Sequence, residues 1–334
     1  MRVLAAMDKF RGTTTASEAA AAVGQACWEL GHDVDEVPVS DGGEGLLDAL
    51  GGPNRTSLVT GPLGAPVAAA WRLGRHTAII EMARASGLLL AGGPAANDPL
   101  RASTIGTGQL IDRAVTEGAR HVIVGLGGSA TTDGGLGAIE ALASPARLHT
   151  VELDLACDVR TRFLDAAAVF AGQKGASPAQ IDLLTARLHS LAERYRQHYG
   201  VDVVPLDGGG AAGGLGGGLA AVGGCLRSGF DLVADQLDLA ERMADCDVVV
   251  TGEGYLDAQS FEGKVVGGVC ALAAELGRRV VVIVGDADPA VVRDAAQLSA
   301  VEVLTLVGRD GHQRARAEPR TCIEHATRAA LAAG

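Results

Sequence analysis

Residues 247–286 read DVVVTGEGYLDAQSFEGKVVGGVCALAAELGRRVVVIVGD. Two apolar runs, VVV at 248–250 and VVVIV at 280–284, bracket a stretch of helical length that closes on Gly277. Short β-branched runs with no polar alternation are strands buried on both faces, as in parallel sheets. Parallel pairing needs a crossover, and the intervening helix supplies it. The pattern continues, with a helix predicted over 289–298, a strand over 301–307 and a last helix over 319–333. The chain start has the same character. RVLAAM (2–7) predicts a strand, 13–31 a helix ending at Gly31, and DVDEVPVS (33–40) a second strand.

The middle differs. Residues 56–83 read as strand, turn, strand, strand, punctuated by Gly and Pro. A helix over 106–119, strands at 121–128 and 153–159, and a long helix capped by Ser177 follow. The expected fold class is therefore α/β with two domains. Residues 1–50 plus 236–334 form a discontinuous, doubly wound, Rossmann-like parallel-sheet domain, and 51–235 an inserted second α/β domain.

Composition narrows the function. The chain has 334 residues, 48% of them hydrophobic, so a large core is within reach and disorder is not expected. The formal charge of -12 argues against a nucleic-acid partner, which needs a basic face. Aromatic residues, at 3%, are too few for a base-stacking platform. Six scattered cysteines without a CxxC pair fit a reduced, cytoplasmic protein. The eight histidines show no HExxH-like spacing, so a zinc site has little support from sequence. The first residues hold no signal peptide and no apolar stretch is long enough for a membrane span. Only three lysines, Lys9, Lys174 and Lys264, occur among 28 basic residues, each in a glycine-containing motif. That suggests places where a compact ammonium is needed and a guanidinium fork will not fit.

In open parallel sheets ligands bind beyond the carboxyl ends of the strands. The acids cluster at such ends: Asp8 after VLAAM, Asp41 and Glu44 in SDGGEG, Glu81 after TAII, Asp158 after LAC, and Glu253 and Asp257 in TGEGYLD. The loop GLGGSATTDGGLG (125–137) follows the strand HVIV, and a second glycine run lies at 208–220. Each motif alone is compatible with a turn, a cap or close packing. Together they suggest phosphoryl transfer, which asks for backbone N–H groups around phosphate, carboxylates for Mg²⁺ and a base for the attacking hydroxyl. No GxxxxGK[ST], no HRD…DFG pair and no GxGxxG after the first strand is present. P-loop enzymes, protein kinases and an NAD-dependent dehydrogenase are thereby disfavoured.

The order and identity of these motifs resemble the type I glycerate kinases. The resemblance rests on MDKFRGTTTASEAA, VSDGGEG, TGPLGAPV, IIEMARASGL, STIGTGQLI, GLGGSATTDGGLG, ACDV, QKGA, GGGAAGGLGGGL and TGEGYLDAQSFEGK, and covers almost the whole chain. It implies two α/β domains with the active site in the interdomain cleft. It also implies ATP- and Mg²⁺-dependent phosphorylation of D-glycerate, with 2-phosphoglycerate expected for the bacterial type. The chain departs from the family where Arg11 and Lys9 stand for Lys and Ser, in a shortened segment before LACDV, and at Gly172 before QKGA. These changes bear on substrate preference and oligomer contacts more than on reaction class.

The expected roles are as follows. Asp41, Asp8, Lys174 and Asp257 are catalytic, with Asp41 the first choice of base. Arg11, Ser103, Asp158 and Glu44 contact the substrate. Gly127, Gly128, Ser129, Ala130, Thr131 and Lys264 cradle phosphate, and Asp133 and Glu253 serve the metal, Asp133 alternatively orienting its loop. The competing readings are a kinase of another small hydroxy acid, a kinase forming the 3-phosphate, and a non-catalytic ligand-binding descendant. A small-molecule substrate is expected, with no nucleic-acid or membrane partner and the oligomeric state open.

Overall fold

The computed structural model describes residues 1–10, 12–261, 263–295 and 300–332. The chain divides into two compact units. One comprises Met1–Asp41, Asp48–Leu50 and Phe230–Gly334, the other Gly42–Leu47 and Gly51–Gly229. The strands are, in chain order, β1 Arg2–Met7, β2 Asp33–Pro38, β3 Arg55–Thr60, β4 Pro66–Gly74, β5 Thr77–Glu81, β6 His121–Gly125 and β7 Glu152–Cys157. They continue with β8 Cys225–Ser228, β9 Val248–Gly252, β10 Tyr255–Leu256, β11 Arg279–Val284, β12 Asp286–Ala287 and β13 Val301–Thr305.

The first unit carries a five-stranded sheet ordered β13-β11-β9-β1-β2, with every neighbouring pair parallel. Counted within the unit this is the doubly wound order 2-1-3-4-5, whose direction of winding reverses beside β1. Such a reversal opens a crevice beyond the strand ends. β1, β9 and β11 are almost wholly buried, which is why their sequences are unbroken apolar runs. The helix Ala16–Leu30 starts on a capping box between Thr15 and Glu18 and ends at Gly31 in the left-handed conformation. Its alanine-rich face joins the core that includes Val3, Ala5, Val250 and Ile283.

The second unit holds a six-stranded sheet ordered β3-β4-β5-β6-β7-β8. β3 to β5 pair antiparallel, as their tight Gly and Pro connections require, and β5 to β8 pair parallel. Its core gathers Trp71, Phe163, Leu188 and Tyr195 with Leu and Val from the strands. The long helix Pro178–Tyr199 begins at Ser177, whose side chain accepts from Gln180 N in a second capping box. Among the described residues no helix is long and apolar enough to cross a membrane.

One close approach in the first sheet sets a limit on sequence. Gly252 ends β9 where an added Cβ would overlap the carbonyl oxygen of Ile283 on β11. Backbone cannot retreat there without opening the β9–β11 ladder. Gly252→Ala is expected to lower the free energy of unfolding by about 1–3 kcal/mol, as overpacking of a dense core does. A urea titration checks this, and an unchanged midpoint would show that the two strands part freely at this point.

Candidate functional site

The carboxyl ends of β1, β2 and β9 bring acids together in the first unit. The Asp8 amide donates to Gly252 O at 3.0 Å, pinning the end of β1 to the end of β9. Val39 N donates to Met7 O at 2.8 Å, which carries the chain after β2 alongside the same point. Asp8 and Asp41 are thereby held nearly buried, at 7% and 5% exposure. Between them lies the Lys9 ammonium, 3.6 Å from Asp8 Oδ1 and 3.7 Å from Asp41 Oδ1. Burial pushes the Asp8 carboxyl up to about 6; Lys9 opposes this shift, while the neighbouring Asp41 charge adds to it.

Glu253 follows β9 directly. Burial raises its carboxyl to about 7; the Ser260 side chain and Lys264 oppose the shift, while Asp8 and Asp257 add to it. Its Oε1 is buried and has no hydrogen-bond partner among the described residues. An unpaired buried carboxylate oxygen is costly, and sites that keep one are places where a ligand completes the set. Asp257 caps the short turn after β10, accepting from the amides of Gln259 at 2.9 Å and Ser260 at 3.2 Å. Lys264 stands at the N-cap of the eleven-residue helix Val265–Glu275.

All these groups border one cavity of about 550 Å³, together with Tyr255, Asp286, His312 and Arg316. Of the residues singled out in the sequence, Asp8, Asp41, Glu253, Asp257 and Lys264 meet here. The last four lining residues were not singled out. His312 and Arg316 lie one helical turn apart on the helix His312–Ala317, so both reach the same side. A segment as polar as GHQRARAE gives no sign of which of its charges faces a ligand. Tyr255 could have been marked, since it lies inside the TGEGYLD motif. Arg11 lies outside the described residues.

The second unit collects the others around the loop after β6. Lys174 is 4% exposed, and its Nζ donates to Ser129 Oγ and to Thr131 O, both at 2.7 Å. Asn97 Nδ2 bridges Lys174 O at 2.9 Å and Ala130 O at 3.0 Å, so that the lysine and the loop move as one piece. Beneath the loop, Gly213 has φ +72° and packs so closely that a Cβ would overlap Thr131 O. The loop amides of Gly127, Gly128 and Ser129 donate to no carbonyl among the described residues.

Asp133 has a different part. Its Oδ2 accepts from Thr104 N and Thr104 Oγ1 at 2.8 Å, from Gly137 N at 3.3 Å and from Ser103 Oγ at 3.4 Å, and its Oδ1 from Gly135 N at 3.1 Å. Through these donors the carboxylate ties the loop to residues 103–104 and to the first turn of the helix Leu136–Ala141. The amides of Gly135 and Gly137 at the start of that short helix thus donate to the Asp133 carboxylate. Glu81 works in the same way, accepting from Gly45 N at 2.9 Å and Leu47 N at 3.0 Å and so shaping the SDGGEG segment within this unit. Glu44 and Asp158 are exposed.

Burial drives the Lys174 ammonium down to about 7, against the opposing pull of Asp133. The folded chain therefore holds fewer protons than the unfolded one between about pH 7 and the ordinary lysine value of 10.5. Stability contributed by this group rises with pH across that window and is flat below it, with a slope of up to about 1.4 kcal/mol per pH unit. Relative to Lys174→Met, the native chain is expected to gain stability from pH 7 to pH 10 in urea titrations. A difference independent of pH would show that the amine stays charged.

Comparison with known proteins places this arrangement. The model of the glycerate kinase family matches residues 3–147 and 143–333. An uncharacterized protein of Mycobacterium tuberculosis (strain CDC 1551 / Oshkosh) is 41% identical, covering 92% of this chain and 85% of its own. The glycerate 2-kinase of Escherichia coli (strain K12) is 38% identical over 351 residues, covering 92% of each chain. The crystal structure of putative glycerate kinase 2 from Salmonella typhimurium LT2 superposes with a TM-score of 0.81 at 34% identity, covering 100% of this chain and 99% of that one. An α/β chain that matches a family model over nearly its whole length, with its acids gathered at parallel strand ends, is an enzyme of the kinase class, and it belongs to the glycerate kinase family.

Proposed function

We propose that the protein transfers the γ-phosphoryl group of ATP to D-glycerate, with Mg²⁺, and that the product is 2-phosphoglycerate. The observation that carries this reading is the meeting of Asp8, Asp41, Glu253 and Asp257 with Lys9, Lys264 and Arg316 around one cavity at parallel strand ends. Phosphoryl transfer requires little covalent chemistry from the protein. It requires cations around the phosphate oxygens, carboxylates to hold a divalent ion and an acceptor for the proton of the attacking hydroxyl. The glycerate kinase relatives support the substrate, and the Escherichia coli protein, a glycerate 2-kinase, supports the 2-position.

The residues suit Mg²⁺. Hard oxygen donors converge, and the unpaired Glu253 Oε1 is a buried acceptor that a cation would satisfy. Asp8 and Glu253 would hold the ion, whose contribution when bound is to offset charge on the phosphoryl oxygens. Asp41, steadied by Lys9, accepts the hydroxyl proton. Lys264 and the first amides of its helix hold phosphate oxygens, and Arg316 extends that cationic wall, with His312 beside it. The Tyr255 ring, half exposed, offers an apolar face to a base. In the second unit, Lys174, Ser103 and the Ser129–Thr131 loop, with the amides of Gly127 and Gly128 that donate to no carbonyl among the described residues, present donors of the kind an anionic oxygen accepts.

The test is chemical. With ATP and Mg²⁺, a panel of small hydroxy acids should give a single phosphorylated product, identified by NMR as 2-phosphoglycerate. Asp41→Asn should reduce turnover by about 10²–10⁴-fold, as loss of a general base does, while leaving nucleotide affinity nearly unchanged. Label on the 3-hydroxyl would correct the product and keep the reaction class. Turnover with another acid only would replace the substrate. No stimulated ADP release from any member of the panel would end the kinase reading.

A further inference from the structure

The six-stranded sheet of the second unit carries a cluster of metal-binding side chains that the phosphoryl-transfer chemistry does not use. β6 begins at His121 and β7 at Glu152, and their parallel register sets these two residues side by side. Asp154 is two residues further along β7 and so shares the face of Glu152. It pairs with Cys225, the first residue of β8. The alternate residues Val122, Leu153 and Leu155 enter the hydrophobic core. One imidazole, two carboxylates and one thiol are thus delivered to one face, at the strand ends opposite to those from which the loops at 126 and 158 depart.

The spacing suits a small cation. His121 Nε2 is 3.0 Å from Asp154 Oδ2, and ligand atoms of His121, Glu152 and Asp154 all lie within 4.8 Å of one another. Two ligands of a tetrahedral ion at about 2.0–2.1 Å stand roughly 3.3 Å apart, close to the first of these separations. Cys225, a free, exposed thiol paired with Asp154 across β7 and β8, stands outside this three-residue group and would have to turn its sulfur toward it. Asp154 itself is only 2% exposed. Arg227 Nη1 lies 3.4 Å from Asp154 Oδ2. Its guanidinium hydrogen-bonds that carboxylate, as outer partners of metal ligands do.

We propose that His121, Glu152, Asp154 and Cys225 form a binding site for a borderline-soft divalent cation of the zinc class, separate from the kinase chemistry. Imidazole and thiolate with carboxylate select zinc over magnesium or calcium, which take oxygen alone. Four protein ligands leave no open position, so the site is structural and ties β6, β7 and β8 together at one end.

The experiment strips the full chain with a chelator and titrates it with Co²⁺ and then Zn²⁺, in excess Mg²⁺ so that the hard oxygen sites are filled. One Co²⁺ per chain should bind, with tetrahedral visible bands and a thiolate-to-cobalt charge-transfer band, and Zn²⁺ should displace it and raise the melting temperature. His121→Ala should weaken binding by more than about 100-fold, beyond the loss expected for an outer partner. Glu152→Gln, at an exposed position that leaves folding intact, should also weaken it. Cys225→Ser should abolish the charge-transfer band and keep weaker binding. Turnover in saturating Mg²⁺ should be unchanged in each variant. Absence of saturable Co²⁺ binding in excess Mg²⁺, or equal binding by His121→Ala and Glu152→Gln, would overturn the site. Absence of the charge-transfer band in the unsubstituted chain would overturn the four-ligand set.

Discussion

A single ammonium between two nearly buried carboxylates is the constraint on which the proposed chemistry rests. Lys9 stands 3.6 Å from Asp8 and 3.7 Å from Asp41. Its charge offsets two like charges held at adjoining strand ends in so little solvent. The backbone leaves no choice about their proximity, since β1 pairs with β2 on one side and β9 on the other, and each strand ends on the same line. Burial still dominates at Asp8 and Glu253, whose carboxyls rise to about 6 and about 7. The fold therefore stores unfavourable electrostatics that a bound divalent cation would relieve.

The other carboxylates show how burial and partners divide one residue type into two uses. Asp133 and Glu81 also sit beside strand ends and glycines, yet both accept from backbone N–H groups, joined by two hydroxyls at Asp133 and by the Arg84 guanidinium at Glu81. They shape loops. Glu253 keeps one oxygen, Oε1, without a hydrogen-bond partner among the described residues. The difference lies in the hydrogen-bond inventory of each oxygen, which decides whether a carboxylate is spent on architecture or left for a ligand.

Much of this was legible in the sequence, for identifiable reasons. The strands at 248–252 and 279–284 are apolar without alternation because both faces are covered, and the helix from 178 announces itself by Ser177, Pro178 and Gln180. The gathering of Asp8, Asp41, Glu253 and Asp257 follows from the rule that parallel strands share one ligand-binding end. What escaped depends on contacts that sequence spacing does not encode. Asp133 is assigned by Thr104, 29 positions upstream. His312 and Arg316 belong to a charged helix whose inward side is set by packing. The His121, Glu152, Asp154 and Cys225 cluster comes from three strands, so the absence of a local histidine motif says nothing about it.

The central claim is that the buried acids of the first unit are held for a divalent cation. Calorimetric titration of the full chain with Mg²⁺, in two buffers of different ionisation enthalpy, tests it most directly. Because Asp8 and Glu253 lose their protons only near pH 6 and 7, Mg²⁺ binding between those values should release protons. The apparent heat should then depend on the buffer, and that dependence should fade well above pH 7 and diminish in Glu253→Gln. Binding with no buffer dependence at pH 6 to 7, or with a dependence untouched by Glu253→Gln, would contradict the account.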